Sequence, residues 1–128
     1  MEIESSHEGF VLSIDVGTTS IRAHLFDKKA KLVANASEAI PLIFPEPHHI
    51  EQDPKLLWTQ CVSVIRGVMK ETNISPKDVR AIGKEFFSTF VIYLLGLTSQ
   101  RNSFLTWNKT TGEPLHNIIT WQDVHYFH

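Results

Sequence analysis

The chain has 128 residues, 42% of them apolar and 20% charged, with a net charge of -2. That is the length of one domain able to bury a core, and the balance is that of a globular protein rather than a disordered or coiled one. The small net charge gives no electrostatic reason to expect nucleic acid or a membrane surface as a partner, and the single cysteine, Cys61, cannot close an internal disulfide and suits a reducing compartment.

The opening "MEIESSHEGF" lacks the basic, apolar and small-residue regions of a secretory signal. Residues 1–9 therefore read as a leader, the expected location is cytoplasmic, and the sequons at Asn35, Asn73 and Asn108 carry no glycan. "FVLSIDVG", Phe10 to Gly17, has the length and apolar density of a strand ending in a tight turn. "IRAHLFD" alternates, with Ile21, Ala23 and Leu25 on one side and Arg22 and His24 on the other. "KLVANASEAI" alternates again after the turn "KKA". Three strands with short connections imply an antiparallel meander.

"PLIFPEPHH" holds three prolines and reads as an irregular connection. Asp53 and Pro54 then supply an N-cap and a first-turn proline. From there Leu57, Cys61, Val64, Ile65, Val68 and Met69 recur at helical spacing to about Lys70. "SPKD" predicts a capped short turn, "VRAIG" a further strand, and "SFLTWNKTTGEPLHNIITW" a hairpin turning at Thr111, Gly112, Glu113 and Pro114. The order of elements predicts an α/β fold with a mixed sheet and a helix on one face.

"IDVGTTSIR" places an acid at a strand end, then a glycine, three hydroxyl residues and an arginine. Phosphate recognition uses such parts: Gly17 lets backbone approach the ligand, Thr18, Thr19 and Ser20 donate, and Arg22 supplies a fixed cation. Asp15 suits a hydrated Mg²⁺, which keeps several waters and takes few carboxylates. The spacing is neither that of a P-loop nor that of a dinucleotide fingerprint. The same residues also make a plain hairpin turn, and the motif alone leaves both readings open.

Two further stretches follow in order: "HIEQDPKLLW" (49–58) and "TSQRNSFLTWNKTTGEPLHNIITWQD" (98–123), the second containing the pair Gln100-Arg101. With "DVGTTSIR" they resemble the N-terminal lobe of the FGGY carbohydrate kinases, on the glycerol kinase branch. The resemblance implies an incomplete ribonuclease H-like, actin-like ATPase lobe that occupies residues 10–128. It implies ATP with Mg²⁺ as cofactors, a small polyol or sugar as substrate, and transfer of the γ-phosphoryl group to a primary hydroxyl. Carried onto this chain, it makes Asp15 the magnesium-side acid and Gly17, Thr18, Thr19, Ser20 and Arg22 the phosphate contacts. Gln100, Arg101 and Asn102 become the polyol loop, with Trp121 and Asp123 beside the pocket. Asn102 stands where glycerol kinases usually have a glutamate, so an amide replaces a charge-assisted acceptor and the identity of the polyol is open. Trp107 and Trp121 read equally well as core or hairpin aromatics.

In the resembling enzymes the catalytic base and adenine pocket lie in the C-terminal half, beyond His128, so Asp123 is not the expected base. The isolated chain is expected to be inactive in catalysis; a noncatalytic isoform associating with a full-length kinase is the alternative. Residues 84–96, "KEFFSTFVIYLLG", have no counterpart in the family pattern and read as an apolar insertion inside a strand. It is too short for a membrane-spanning helix and has the make-up of an aggregation-prone strand. Either "VRAIG" keeps its strand and Leu97 arrives from elsewhere, or Val91–Leu95 replaces it with a change of register. The pairs His48-His49 and His125-x-x-His128 lack carboxylate or cysteine partners at metal-ligand spacing and read as solvated.

Overall fold

The computed structural model describes residues 9–81, 97–98 and 100–124. The meander is present: β1 (Phe10–Val16), β2 (Ser20–Phe26) and β3 (Leu32–Ala39) pair antiparallel in sequence order. Strand alternation sends Leu12, Ile14, Ile21, Ala23 and Leu25 to one face, where all five are buried. Ala34 on β3 joins them. Ser13, Asp15, Arg22 and His24 fall on the opposite face.

Helix α1 (Pro54–Thr72) begins as its sequence dictates. The Asp53 carboxylate accepts from the Lys55 N–H at 2.8 Å and the Leu56 N–H at 3.2 Å, and Pro54 follows it. The helix runs to Thr72, two residues beyond the expected end near Lys70, and is capped by Asn73 in the left-handed region, φ 53°. Its Val64 and Val68 are buried over β2 and β3, flanked by Leu57, Cys61, Ile65 and Met69. Gly67 lies close to β3: a Cβ there would sit 3.4 Å from the Ala36 side chain. Periodicity did not foresee Gln60, which is buried on this face and donates to the Ala39 carbonyl at 2.6 Å. Burial raises the Cys61 thiol pKa, so this cysteine packs as a small apolar group rather than reacting as a thiolate.

A 3₁₀ turn, Pro76–Asp78, capped by Ser75, delivers β5 (Val79–Ala81) parallel to β1. β6 (Leu97–Thr98) also lies parallel to β1, on the same edge. Val11 pairs with Ala81 and Ile14 with Leu97. β1 thus advances three residues while the chain advances sixteen, thirteen more than an unbroken strand needs. The first of the two expected arrangements therefore describes the flanks: "VRA" keeps its strand and Leu97 joins the same edge in register. Residues 84–96, and with them Val91–Leu95, lie outside the described residues, as do His125 and His128.

The proline-rich connection is less irregular than its sequence suggests. Ile43 exchanges both backbone hydrogen bonds with Glu51, and β4 (Glu51–Gln52) pairs antiparallel with β7 (Ile118–Ile119) in a small second sheet. The predicted hairpin is present as bridges from Phe104 to Ile119 and from Trp107 to Pro114. Its turn is organised by Asn108, whose side-chain oxygen accepts from the Thr110 and Thr111 N–H groups. The Lys55–Glu113 ion pair ties the hairpin tip to the start of α1, but both side chains are exposed, which keeps its worth small.

The β2–β3 turn supplies a pH-dependent contact. Asp27 accepts from the Lys31 N–H at 3.0 Å and the Lys29 N–H at 2.8 Å, and donation from Lys31, chiefly, holds its pKa below the usual value. A depressed carboxylate pKa stabilises the fold above its unfolded value, and the contribution is lost as pH falls through the folded one. Amide exchange at Lys29 and Lys31 is therefore expected to accelerate only when pH falls below the ordinary aspartate range, beyond the intrinsic pH trend, and an Asp27→Ala variant is expected to show no such step. A step that persists in the variant would assign it to another group.

Candidate functional site

The turn between β1 and β2 is built without the residues a tight hairpin prefers. Two-residue hairpin turns favour positive φ at their centre, supplied by glycine or asparagine. Here the centre is Thr18-Thr19, and neither residue has positive φ. Gly17 N–H donates to the Ser20 carbonyl at 3.0 Å, while the reciprocal bond from Ser20 N–H to the Gly17 carbonyl is not formed. A Cβ at position 17 would also lie 3.0 Å from the Ser20 carbonyl oxygen, so a side chain there would push the two strand ends apart.

The carbonyls at this tip are taken by groups from elsewhere. Gln100 Nε2 donates to the Gly17 carbonyl at 2.7 Å, Gln52 Nε2 to the Thr18 carbonyl at 2.6 Å, and Ile40 N–H to the Thr19 carbonyl at 2.9 Å. Among the described residues nothing accepts from the Thr18 or Thr19 N–H. Thr19 is exposed, and Thr18 and Ser20 are half-buried. Asp15 and Arg22 are direct cross-strand partners and so share the sheet face away from α1; Asp15 is half-buried and Arg22 exposed.

The second group of candidate residues is held by β6 and the small sheet. Gln100 follows β6 and precedes Arg101 and Asn102, both exposed. Asn102 has φ 59°, a backbone state that asparagine tolerates better than most residues. Arg101, Asn102 and Trp121 together line an open cleft of about 450 Å³. Trp121 is 56% exposed and Trp107 60%, so neither is a core residue. Asp123 stands apart in role: its Oδ2 accepts from the Ile50 N–H at 2.9 Å, fastening residue 50 against the chain around 120–124. A larger cleft of about 640 Å³, between Lys55, Trp58, Trp107 and Glu113, receives none of the candidate phosphate or polyol residues.

The two groups, 83 residues apart in sequence at Gly17 and Gln100, are joined directly. Gln100 spends both amide protons on the join, one on Gly17 and one on Gln52 Oε1 at 2.7 Å, while its own oxygen accepts from Ser103 Oγ at 3.1 Å. Ser103 Oγ in turn accepts from the Trp121 N–H at 3.2 Å. Gln52 and Ser103 were not foreseen. Gln52 sits inside "HIEQDPKLLW", where nothing in hydropathy distinguishes a glutamine that is 0% exposed from one in solvent.

As for a metal, no cluster of three or more His, Cys, Asp or Glu side chains among the described residues is placed to hold one. A single half-buried carboxylate such as Asp15, with no second carboxylate, histidine or cysteine clustered on it among the described residues, fits Mg²⁺ held mainly by water and phosphate oxygens, and does not fit a resident transition metal.

Comparison with known proteins agrees with this fold. The chain is 38% identical over 120 residues to glycerol kinase 5 of Danio rerio, an alignment covering 94% of the chain and 20% of that protein. It is 37% identical over 114 residues to the glycerol kinase of Paracidovorax citrulli, covering 89% of the chain and 20% of the relative. Among solved structures, ligand-bound xylulose kinase from Lactobacillus acidophilus superposes with a TM-score of 0.71 at 30% identity, over 90% of this chain and 20% of that one. The chain thus spans about a fifth of the length of these relatives, and its mixed α/β architecture matches the corresponding part of a sugar kinase lobe. The sequence model of the FGGY family of carbohydrate kinases, N-terminal domain, matches residues 10–126, and the chain belongs to that family.

Proposed function

We propose that this chain carries the phosphate-side and polyol-side elements of an ATP-dependent carbohydrate or polyol kinase of the glycerol kinase type. The observation that supports this reading most is the hydrogen bond from Gln100 to Gly17, because phosphoryl transfer needs the nucleotide phosphates and the acceptor hydroxyl side by side. In this reading the N–H groups of Thr18 and Thr19, which have no acceptor among the described residues, the hydroxyls of Thr18, Thr19 and Ser20, and the Arg22 guanidinium hold the ATP phosphates. Asp15 holds the waters of Mg²⁺, which when bound neutralises charge on the transferring phosphate. Arg101 and Asn102 offer donors and an acceptor to polyol hydroxyls, and Trp121 supplies an apolar wall against C–H groups.

Such an arrangement binds and orients; it contains no assigned base, so phosphate binding rather than turnover is the property to test. Tryptophan fluorescence of the chain is expected to respond saturably to Mg·ATP. In a Thr19→Ala, Arg22→Ala double variant, the loss of two phosphate contacts is expected to weaken binding on the order of 100-fold. An equal response from both proteins would remove the hairpin from the site. The location in the cytoplasm and any association with a full-length kinase belong to the same proposal, and neither is needed for this test.

A further inference from the structure

The structure assigns to Gln52 and Gln100 a role not carried by the motif: they are positioning residues that turn the Thr18 and Thr19 amides outward, toward an incoming phosphate. This deepens the phosphate reading of the hairpin and rests on it. The argument starts from the planarity of the peptide. In a trans peptide the C=O and the N–H of the next residue point in opposite directions, and no cis peptide occurs among the described residues. The Gly17 carbonyl points at Gln100 Nε2, so the Thr18 N–H points away from it. The Thr18 carbonyl points at Gln52 Nε2, so the Thr19 N–H points away from that. The two glutamines touch each other at 2.7 Å and therefore lie on one side of the tip, which leaves both N–H groups on the other.

A local turn does not do this work. The bond from Ser20 N–H to the Gly17 carbonyl would close the hairpin, and it is replaced by the one from Gln100. The threonines lack the positive φ that would fix a tight turn by themselves. The glutamines are in turn fixed by their own bonding. Gln52 is fully buried, donates to Thr18 and accepts from Gln100; Gln100 Oε1 accepts from Ser103, and Ser103 accepts from the Trp121 N–H. Donors and acceptors run in one direction from Trp121 to the hairpin, an arrangement in which each bond polarises the next. The order fixes which end of each amide is nitrogen, since reversing either one would set oxygen against a carbonyl.

The test uses the 128-residue chain with inorganic tripolyphosphate as the probe, read by calorimetry, beside the ¹³C carbonyl shifts of Gly17 and Thr18. Methionine is close to glutamine in volume and lacks the amide, so the variants are Gln52→Met, Gln100→Met and their combination. The Gly17 and Thr18 carbonyl resonances are expected to move in the variants, with those of β3 unchanged. Each single variant is expected to bind tripolyphosphate on the order of 10-fold more weakly, and the double variant little more weakly than either, because the two side chains form one linkage. Wild-type affinity in variants whose carbonyl shifts have moved would overturn the role, as would carbonyl shifts that do not move. If the wild-type chain fails to bind tripolyphosphate, the phosphate reading falls, while the carbonyl shifts still decide whether the glutamines hold the tip. Should Gln52→Met not fold, Gln100→Met, at a half-buried loop position, carries the test through Gly17.

Discussion

Removing residues 84–96 is expected to raise the thermal midpoint of the chain by roughly 5–15 °C, with a steeper transition. The register on β1 supplies the reason. Because Val11 faces Ala81 and Ile14 faces Leu97, an unbroken strand would place two residues between them, and the chain has fifteen. With the thirteen gone, the order is Val79, Arg80, Ala81, Ile82, Gly83, Leu97, Thr98, and the pairing at both ends is unchanged. Alternation then puts Ile82 beside Leu12 and Leu97 beside Ile14, the two β1 residues already buried under the sheet's apolar face. Shortening a connection from about fifteen residues to two recovers on the order of 2 kcal/mol of closure entropy, and the restored ladder adds backbone hydrogen bonds. The removed run, "KEFFSTFVIYLLG", combines aromatic and β-branched residues with little charge, so its loss should also raise solubility. The measurement is a calorimetric or circular dichroism melt of both chains. An unchanged or lower midpoint would show that the thirteen residues contribute as much as their closure costs, and the insertion reading would be wrong.

The meander and α1 were legible because each obeys one strong rule along its whole length. Ile21, Ala23 and Leu25 alternate without interruption, and Asp53-Pro54 is a start signal whose chemistry is local. The small sheet was not legible. Glu51-Gln52 and Ile118-Ile119 are two-residue strands joined across 66 residues, too short for any period to register, and the prolines before them argued for a loop. The candidate site divides in the same way. Asp15 to Arg22 could be picked out because its residue types are unusual together, and Arg101 and Asn102 by their likeness to a family loop. Gln52 and Ser103 act through single side-chain hydrogen bonds to distant backbone, a property that leaves no trace in composition or spacing. Gln100 shows how a motif can single out a residue without its contacts: its amide faces the β1–β2 turn rather than the Arg101–Trp121 cleft.

The largest loss of stability from a single substitution is expected at Leu25. Its side chain is 0% exposed near the end of β2, opposite Leu12 on β1 and Ala34 on β3 and in one cluster with Val64 and Val68 of α1. Truncation to alanine removes three carbons whose burial no neighbour can replace. Ala34 is too small to fill the space, and Leu12 is held by its own pairing. Leu→Ala changes at such sites cost about 3 kcal/mol, of which part is transfer and part the cavity left behind. For a chain of this length that lowers the thermal midpoint by on the order of 10 °C, and against a total stability of roughly 5–15 kcal/mol it leaves a measurable unfolded fraction near body temperature. Trp58→Ala is the control, because Trp58 is larger but 69% exposed, and its loss should change stability by less than about 1 kcal/mol. Paired urea melts decide between them. If Trp58→Ala proves as costly as Leu25→Ala, the apolar surface along the start of α1 is covered in solution and the core is not confined to the β2–α1 interface. If only Leu25→Ala is costly, the platform under the β1–β2 turn is this one cluster, and on the proposed phosphate reading loosening it should weaken tripolyphosphate binding in proportion to the folded fraction lost.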